Sequence, residues 1–286
     1  MVKFPNSLDI PSKHMQPTPY YDSAQLVPHA LQELKEAFKY RYLLFQLVRR
    51  DLLTRYKRSF LGVAWTMLNP LGTMIILSVV FSRIFGQTAT YPAFVLTGLM
   101  AWNFFFQATN QAMSSLVWGG GLLQRIYIPR SSFGLSAIGS GLVNLALSFV
   151  PLVLVMLVVG APMRTTILFL PVSTFFLACF ALGVGLGLST LAVYFPDVAE
   201  MYAVLLTAWM YLTPIIYPEN IIPANYQWLI HINPMYYLVK LWRLPLYDGK
   251  WPAWGDIWPA AAIGIVTLLV GWFIFTSKSD EFAYRV

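Results

Sequence analysis

RRDLLTRYKRSFLGVAWTMLNPLG, Arg49–Gly72, decides the fold. Five cations, Arg49, Arg50, Arg55, Lys57 and Arg58, stand at its start, with Arg41 just upstream. An apolar run then begins near Leu61 and continues to Phe85, broken at Asn69-Pro70. Cationic side chains flanking a first spanning helix are retained on the cytoplasmic side of a membrane. The junction therefore predicts an anchored chain whose start lies inside.

The composition agrees. The 286 residues are 58% hydrophobic and 11% charged, against a charged share of about 25% in soluble domains. A polytopic membrane protein follows. The net charge of +7 would suit nucleic acid, but the cations crowd the first 58 positions instead of striping a folded domain. Anionic lipid headgroups are the expected neighbours, and no nucleic acid. Cys179 is the sole cysteine, which excludes an intrachain disulfide. Residues 1–28 are polar and proline-punctuated, without the apolar core of a secretory signal, and read as an uncleaved flexible tail.

From His29 to Phe60, Leu34, Phe38, Phe45, Val48, Leu52 and Tyr56 recur at three- and four-residue steps among cations. That spacing predicts one amphipathic helix in the headgroup plane. A bilayer span takes about 20 mostly apolar residues, and six segments qualify: Val63–Phe85, Ala93–Leu116, Phe133–Val159, Ile167–Tyr194, Val198–Ile216 and Ile257–Thr276. Six crossings place both termini in the cytoplasm, with fourteen of the 19 basic residues inside. Between the last two spans, Tyr217–Trp254 interleaves prolines with Trp and Tyr, which predicts two short re-entrant or interfacial helices on the outer side. The expected fold is an all-α membrane protein: an interface helix over 29–60, a six-helix body over 61–276 and a cytoplasmic tail over 277–286.

Few residues suggest chemistry. Gly183 and Gly187 have the small-xxx-small spacing that lets membrane helices approach closely, and no Lys-Ser/Thr phosphate loop accompanies them. Asn103, Gln107, Asn110 and Gln111 share one face of the second span. In hydrocarbon such amides turn toward protein, bridging helices, or toward a hydrated conduit. His14, His29 and His231 are too scattered to form a metal set, and Asp197 with Glu200 reads as a cap on the fifth span. The chain is not expected to be an enzyme. The inner segment Gly119–Ser132 could form a short apolar and basic helix before Pro129, open to a partner protein or an ordinary loop.

Two of these stretches carry a resemblance. Arg49–Gly72 resembles the start of the transmembrane domain in ABC-2 type permeases that export polysaccharides such as O-antigen, capsule and teichoic acid. HINPMYY, His231–Tyr237, is similar to that family's Asn-Pro element before the last span. The resemblance covers nearly all of the chain after His29. It implies a homodimer in a bacterial inner membrane with two copies of a separate ABC ATPase, which holds the ATP and Mg; this chain binds no cofactor. It further implies a glycan substrate on a lipid diphosphate. The first and fifth spans would line the conduit, with Trp65, Asn69, Trp209 and Tyr211 as candidates, and Asn103 and Gln107 of the second span's amide face are candidates beside them. Gln124, Arg125, Ile126, Tyr127, Ile128 and Pro129 would contact the ATPase. Tyr226, Trp228, Asn233, Pro234, Tyr236 and Tyr237 would form the outer gate. Arg49, Arg50, Arg55, Lys57 and Arg58 lie at headgroup depth, where they either take the diphosphate oxygens at the entrance or set topology, or do both. An exporter of a small amphiphile or drug would share this plan, whereas a lipid-modifying enzyme or scaffold would need other features.

Overall fold

A computed structural model describes residues 29–57, 59–85, 90–118, 129–160, 164–279 and 282, and the regular structure among them is entirely helical. Ten α-helices are present among these residues. In chain order they are α1 His29–Lys39, α2 Arg41–Tyr56, α3 Ala64–Phe81, α4 Tyr91–Trp118 and α5 Ser131–Val159. Then come α6 Leu170–Tyr194, α7 Val198–Leu212, α8 Gln227–Ile232, α9 Pro234–Arg243 and α10 Trp254–Lys278.

The single interface helix expected over 29–60 is two helices. The backbone turns at Tyr40 (φ −93°, ψ 26°), although Tyr40 N–H still donates to the Glu36 carbonyl at 2.9 Å. The bend leaves α1 against the start of α5, where the Ser131 hydroxyl donates to Glu33 Oε2 at 2.7 Å. A carboxylate at a helix N-terminus is favoured by the dipole there. After α2 the chain extends at Lys57 and reverses at Gly62, whose φ of +49° belongs to the left-handed region that glycine occupies without a Cβ clash.

Four helical stretches are long and apolar enough to cross a membrane: Ala64–Phe81, Ser131–Val159, Thr165–Tyr194 and Trp254–Lys278. The other two expected spans fall short for separate reasons. α4 runs for 28 residues, but its amides lower its hydropathy. α7 has only 15 residues, because Pro214 forces the preceding backbone out of the helical region and Thr213 is already extended. Asp197 stands at the N-cap of α7, yet its side chain makes no capping hydrogen bond.

α6 is the centre of the body. A Cβ on Gly183 would overlap the Thr267 carbonyl of α10, one on Gly271 would overlap the Gly183 carbonyl, and one on Gly264 would lie 2.7 Å from the Phe176 carbonyl. The backbones of α6 and α10 touch. On another side, a Cβ on Gly185 would come within 2.9 Å of Ala112 on α4, whereas Gly187 has open space around it. The close contact expected of Gly183 and Gly187 thus falls to Gly183, with Gly264 and Gly271 as its counterparts. α3 and α7 are different: Ile75, Ile76, Val79 and Val80 of α3 and Met201, Val204, Leu205 and Leu212 of α7 are exposed.

Candidate functional site

α2 is fixed to the body by shape and by polar contacts. Leu47 is buried, and the Val48 side chain fills the space where a Cβ on Gly139 of α5 would stand, 2.7 Å away. One turn further on, the amides of α4 meet the charges of α2. Arg55 forks onto two of them, donating from Nη1 to Gln107 Oε1 at 3.0 Å and from Nη2 to Gln111 Oε1 at 3.2 Å. Helical spacing explains the match, because residues four apart stack on one face. Gln107 Oε1 also accepts from Asn144 of α5 at 3.1 Å. Gln111 Nε2 donates to Asp51 Oδ2 at 2.9 Å. Asp51 Oδ1 in turn receives Arg50 through Nε at 3.2 Å and Nη2 at 3.0 Å.

Beside this network runs a groove of about 850 Å³ between α2, the start of α3 and α5. Arg49, Arg50, Lys57 and Gln46 rim it, and Leu52, Leu53, Val63, Val143 and Leu147 make its floor. Cations above an apolar trough are the chemical complement of an amphiphile with an anionic head. Of the five cations expected at an entrance, Arg49, Arg50 and Lys57 face the groove, Arg55 is turned to the amides of α4, and Arg58 lies outside the described residues. The expected ATPase contact Gln124–Ile128 also lies outside them, while Pro129 is buried just before α5.

A second polar node lies where α7 meets α9. Asn233 caps α9, its Oδ1 accepting from Met235 N–H at 3.0 Å and from Trp209 Nε1 at 2.7 Å. Its Nδ2 donates to Thr213 Oγ1 at 2.9 Å and to the Leu212 carbonyl at 3.3 Å. Asn at the N-cap and Pro at the first helical position, here Pro234, are the favoured pair for starting a helix. One buried amide so ties the end of α7 to the start of α9. Arg243, at the other end of α9, is also buried. It donates to the carbonyls of Pro214 at 2.9 Å and Ile215 at 3.1 Å, and it stacks 3.8 Å from the Phe94 ring centre. Gly98 makes room for its guanidinium.

Residues 42–247 match the family model described as ABC-2 type transporter. The chain belongs to the ABC-2 type transporter family. The matched span of this ABC-2 chain runs from within α2 to the turn after α9, so it contains the groove, the amide network and the α7–α9 node. The chain is 30% identical over 257 residues to the O-antigen export system permease protein RfbA of Myxococcus xanthus, covering 88% of this chain and 98% of that protein. It is 27% identical to a Klebsiella pneumoniae protein of the same name, over 84% of this chain and 93% of that one. Similarity extends to the polysialic acid transport protein KpsM of Escherichia coli at 24% identity, over 82% and 92%.

The remaining expected residues of this ABC-2 chain are dispersed. Trp65, Asn69 and Tyr211 are exposed on α3 and α7, and Asn103 is half-buried on α4. Trp209 packs edge-on against Trp102, Phe105 and Phe180, with ring centres 6.3, 5.4 and 6.3 Å away. Tyr236 is buried and donates to Glu219 at 2.9 Å, Tyr237 donates to the His231 carbonyl at 3.0 Å, and Tyr226 and Trp228 are exposed. Asp51, Asn144, Thr213 and Arg243 went unnoticed in the sequence. Asp51 alone carried a usable signal, as the one acid inside a run of cations.

Proposed function

We propose that this ABC-2 chain is the membrane subunit of an exporter that moves a polysaccharide, of O-antigen or capsule type, from the cytoplasmic to the outer side of a bacterial inner membrane. The glycan travels on a lipid diphosphate, and ATP is hydrolysed by a separate ABC subunit bound inside. The observation that carries this reading is the groove under α2. Its rim of Arg49, Arg50 and Lys57 suits phosphate oxygens, and its floor of leucines and valines suits a hydrocarbon tail. The names of the relatives supply the glycan.

In this reading α4 and α7 join the four more apolar stretches to make six crossings with both termini inside. The chain works as a homodimer with two ATPase copies. The exposed apolar faces of α3 and α7 meet the second copy, and the conduit runs along that seam past Trp65, Asn69 and Tyr211. Gln124–Pro129 and α2 take the stroke of the ATPase.

Deleting the reading frame should abolish long glycan at the cell surface and leave lipid-linked glycan inside. Complementation with the wild-type chain restores export, and complementation with Arg49→Gln and Lys57→Gln combined does not, although the protein is inserted. Full surface glycan in the deletion strain would refute the function; full rescue by the double variant would remove the groove from it.

A further inference from the structure

The entrance groove is never without an anion, because the chain brings its own. Asp51 is only 13% exposed and stands behind the rim, while Arg50, 48% exposed, reaches from the groove back to it. The same carboxylate holds Gln111 with its other oxygen, and Gln111 holds Arg55. One acid therefore restrains two guanidinium groups, one directly and one through a neutral amide.

We propose that Asp51 is a specificity-determining residue: a resident anion that sets the charge a ligand head must carry before it can take Arg50. This rests on the reading of the groove as the site for a lipid head. In a bilayer every common anionic phospholipid offers a phosphodiester with a single negative charge, no more than Asp51 offers already. A diphosphate presents more charge and more acceptor oxygens, and it displaces the carboxylate. Arg50 faces the full charge of a carboxylate, whereas Arg55 faces only neutral amide oxygens, so releasing Arg55 from its two glutamines costs less than releasing Arg50 from Asp51. Arg50 is the discriminating step and Arg55 follows. The groove thus ignores bulk lipid and answers to the carrier, and once both arginines have moved, α2 keeps Asp51 on Gln111 but has lost the Arg55 fork onto α4.

The test uses the full-length chain in nanodiscs and a polyprenyl diphosphate as probe, with and without phosphatidylglycerol in the disc. Wild-type affinity for the probe should change less than about threefold when phosphatidylglycerol is added, because Asp51 keeps the monoanion out. Asp51→Asn, of nearly the same shape, should bind the probe more tightly in zwitterionic discs and lose about tenfold when phosphatidylglycerol is present, a difference of about 1.4 kcal/mol. Gln111→Glu adds a second carboxylate to the network and should weaken the probe about tenfold without phosphatidylglycerol. An Asp51→Asn chain as indifferent to phosphatidylglycerol as wild type overturns the proposal. If that variant does not fold, unchanged affinity in Gln111→Glu does so. Arg50→Gln separates the two levels: if it binds the probe as wild type does, the groove is not the head site, whereas weakened binding in Arg50→Gln beside wild-type behaviour in Asp51→Asn removes the threshold alone.

Discussion

The two polar nodes of this permease use the same kinds of side chain toward opposite ends. At the α7–α9 node Asn233 is buried and spends its whole hydrogen-bonding capacity, two bonds accepted and two donated, on groups that are themselves buried or held. Nothing in that arrangement can be exchanged without leaving a polar atom orphaned, which costs about 1–3 kcal/mol for each neutral group. At the α2–α4 node Arg55 is exposed, and water or a ligand can replace its bonds to the two glutamines, although Asp51 beneath is better shielded. The difference teaches where the molecule is stiff. α7 and α9 are tied together through one buried amide, while α2 is held to α4 by contacts suited to being traded.

The sharpest way to break the comparison is at Asn233. Replacing it with Asp keeps the shape and both acceptors but removes the two donors, leaving the Leu212 carbonyl and Thr213 hydroxyl without them. Thermal unfolding of the purified chain should show a loss of about 2–4 kcal/mol. Arg243→Gln comes next, at about 2 kcal/mol, since a neutral amide cannot bridge the Pro214 and Ile215 carbonyls with charge-assisted bonds. Trp209→Phe should cost about 1 kcal/mol, because the ring contacts survive and only the bond to Asn233 is lost. Smallest in stability is Arg55→Lys, within about 1 kcal/mol for so exposed a group. A single ammonium cannot fork onto Gln107 and Gln111 together, so amide hydrogen exchange in α2 should nevertheless speed up. If Arg55→Lys destabilised the chain as much as Asn233→Asp, the two nodes would be alike and the contrast would fail.

The long apolar stretches of α3, α5, α6 and α10 were legible because a membrane span is written in composition. So was the start of α9, where Asn233-Pro234 spells a helix N-terminus. The amide face of α4 could also be read, but not what it faced: Arg55 bonds to residues 52 and 56 positions away, and no local pattern names such partners. The bend at Tyr40 was hidden because the apolar period continues across it. Trp209 shows the same limit from the other side. An aromatic ring inside a span reads alike in sequence whatever it packs on, and the three rings against Trp209 lie 29 to 107 positions away.

The glycine seam between α6 and α10 bears on how the protein is made. α10 leaves the ribosome well after α6, and it brings Gly264, Thr267 and Gly271 to a slot on α6 that a helix with larger side chains at those positions could not enter. Until it arrives, the centre of the body stands open along one side. A nascent chain stopped anywhere before Trp254 would carry an unclosed groove of bare backbone, which is a mark that membrane quality control can recognise.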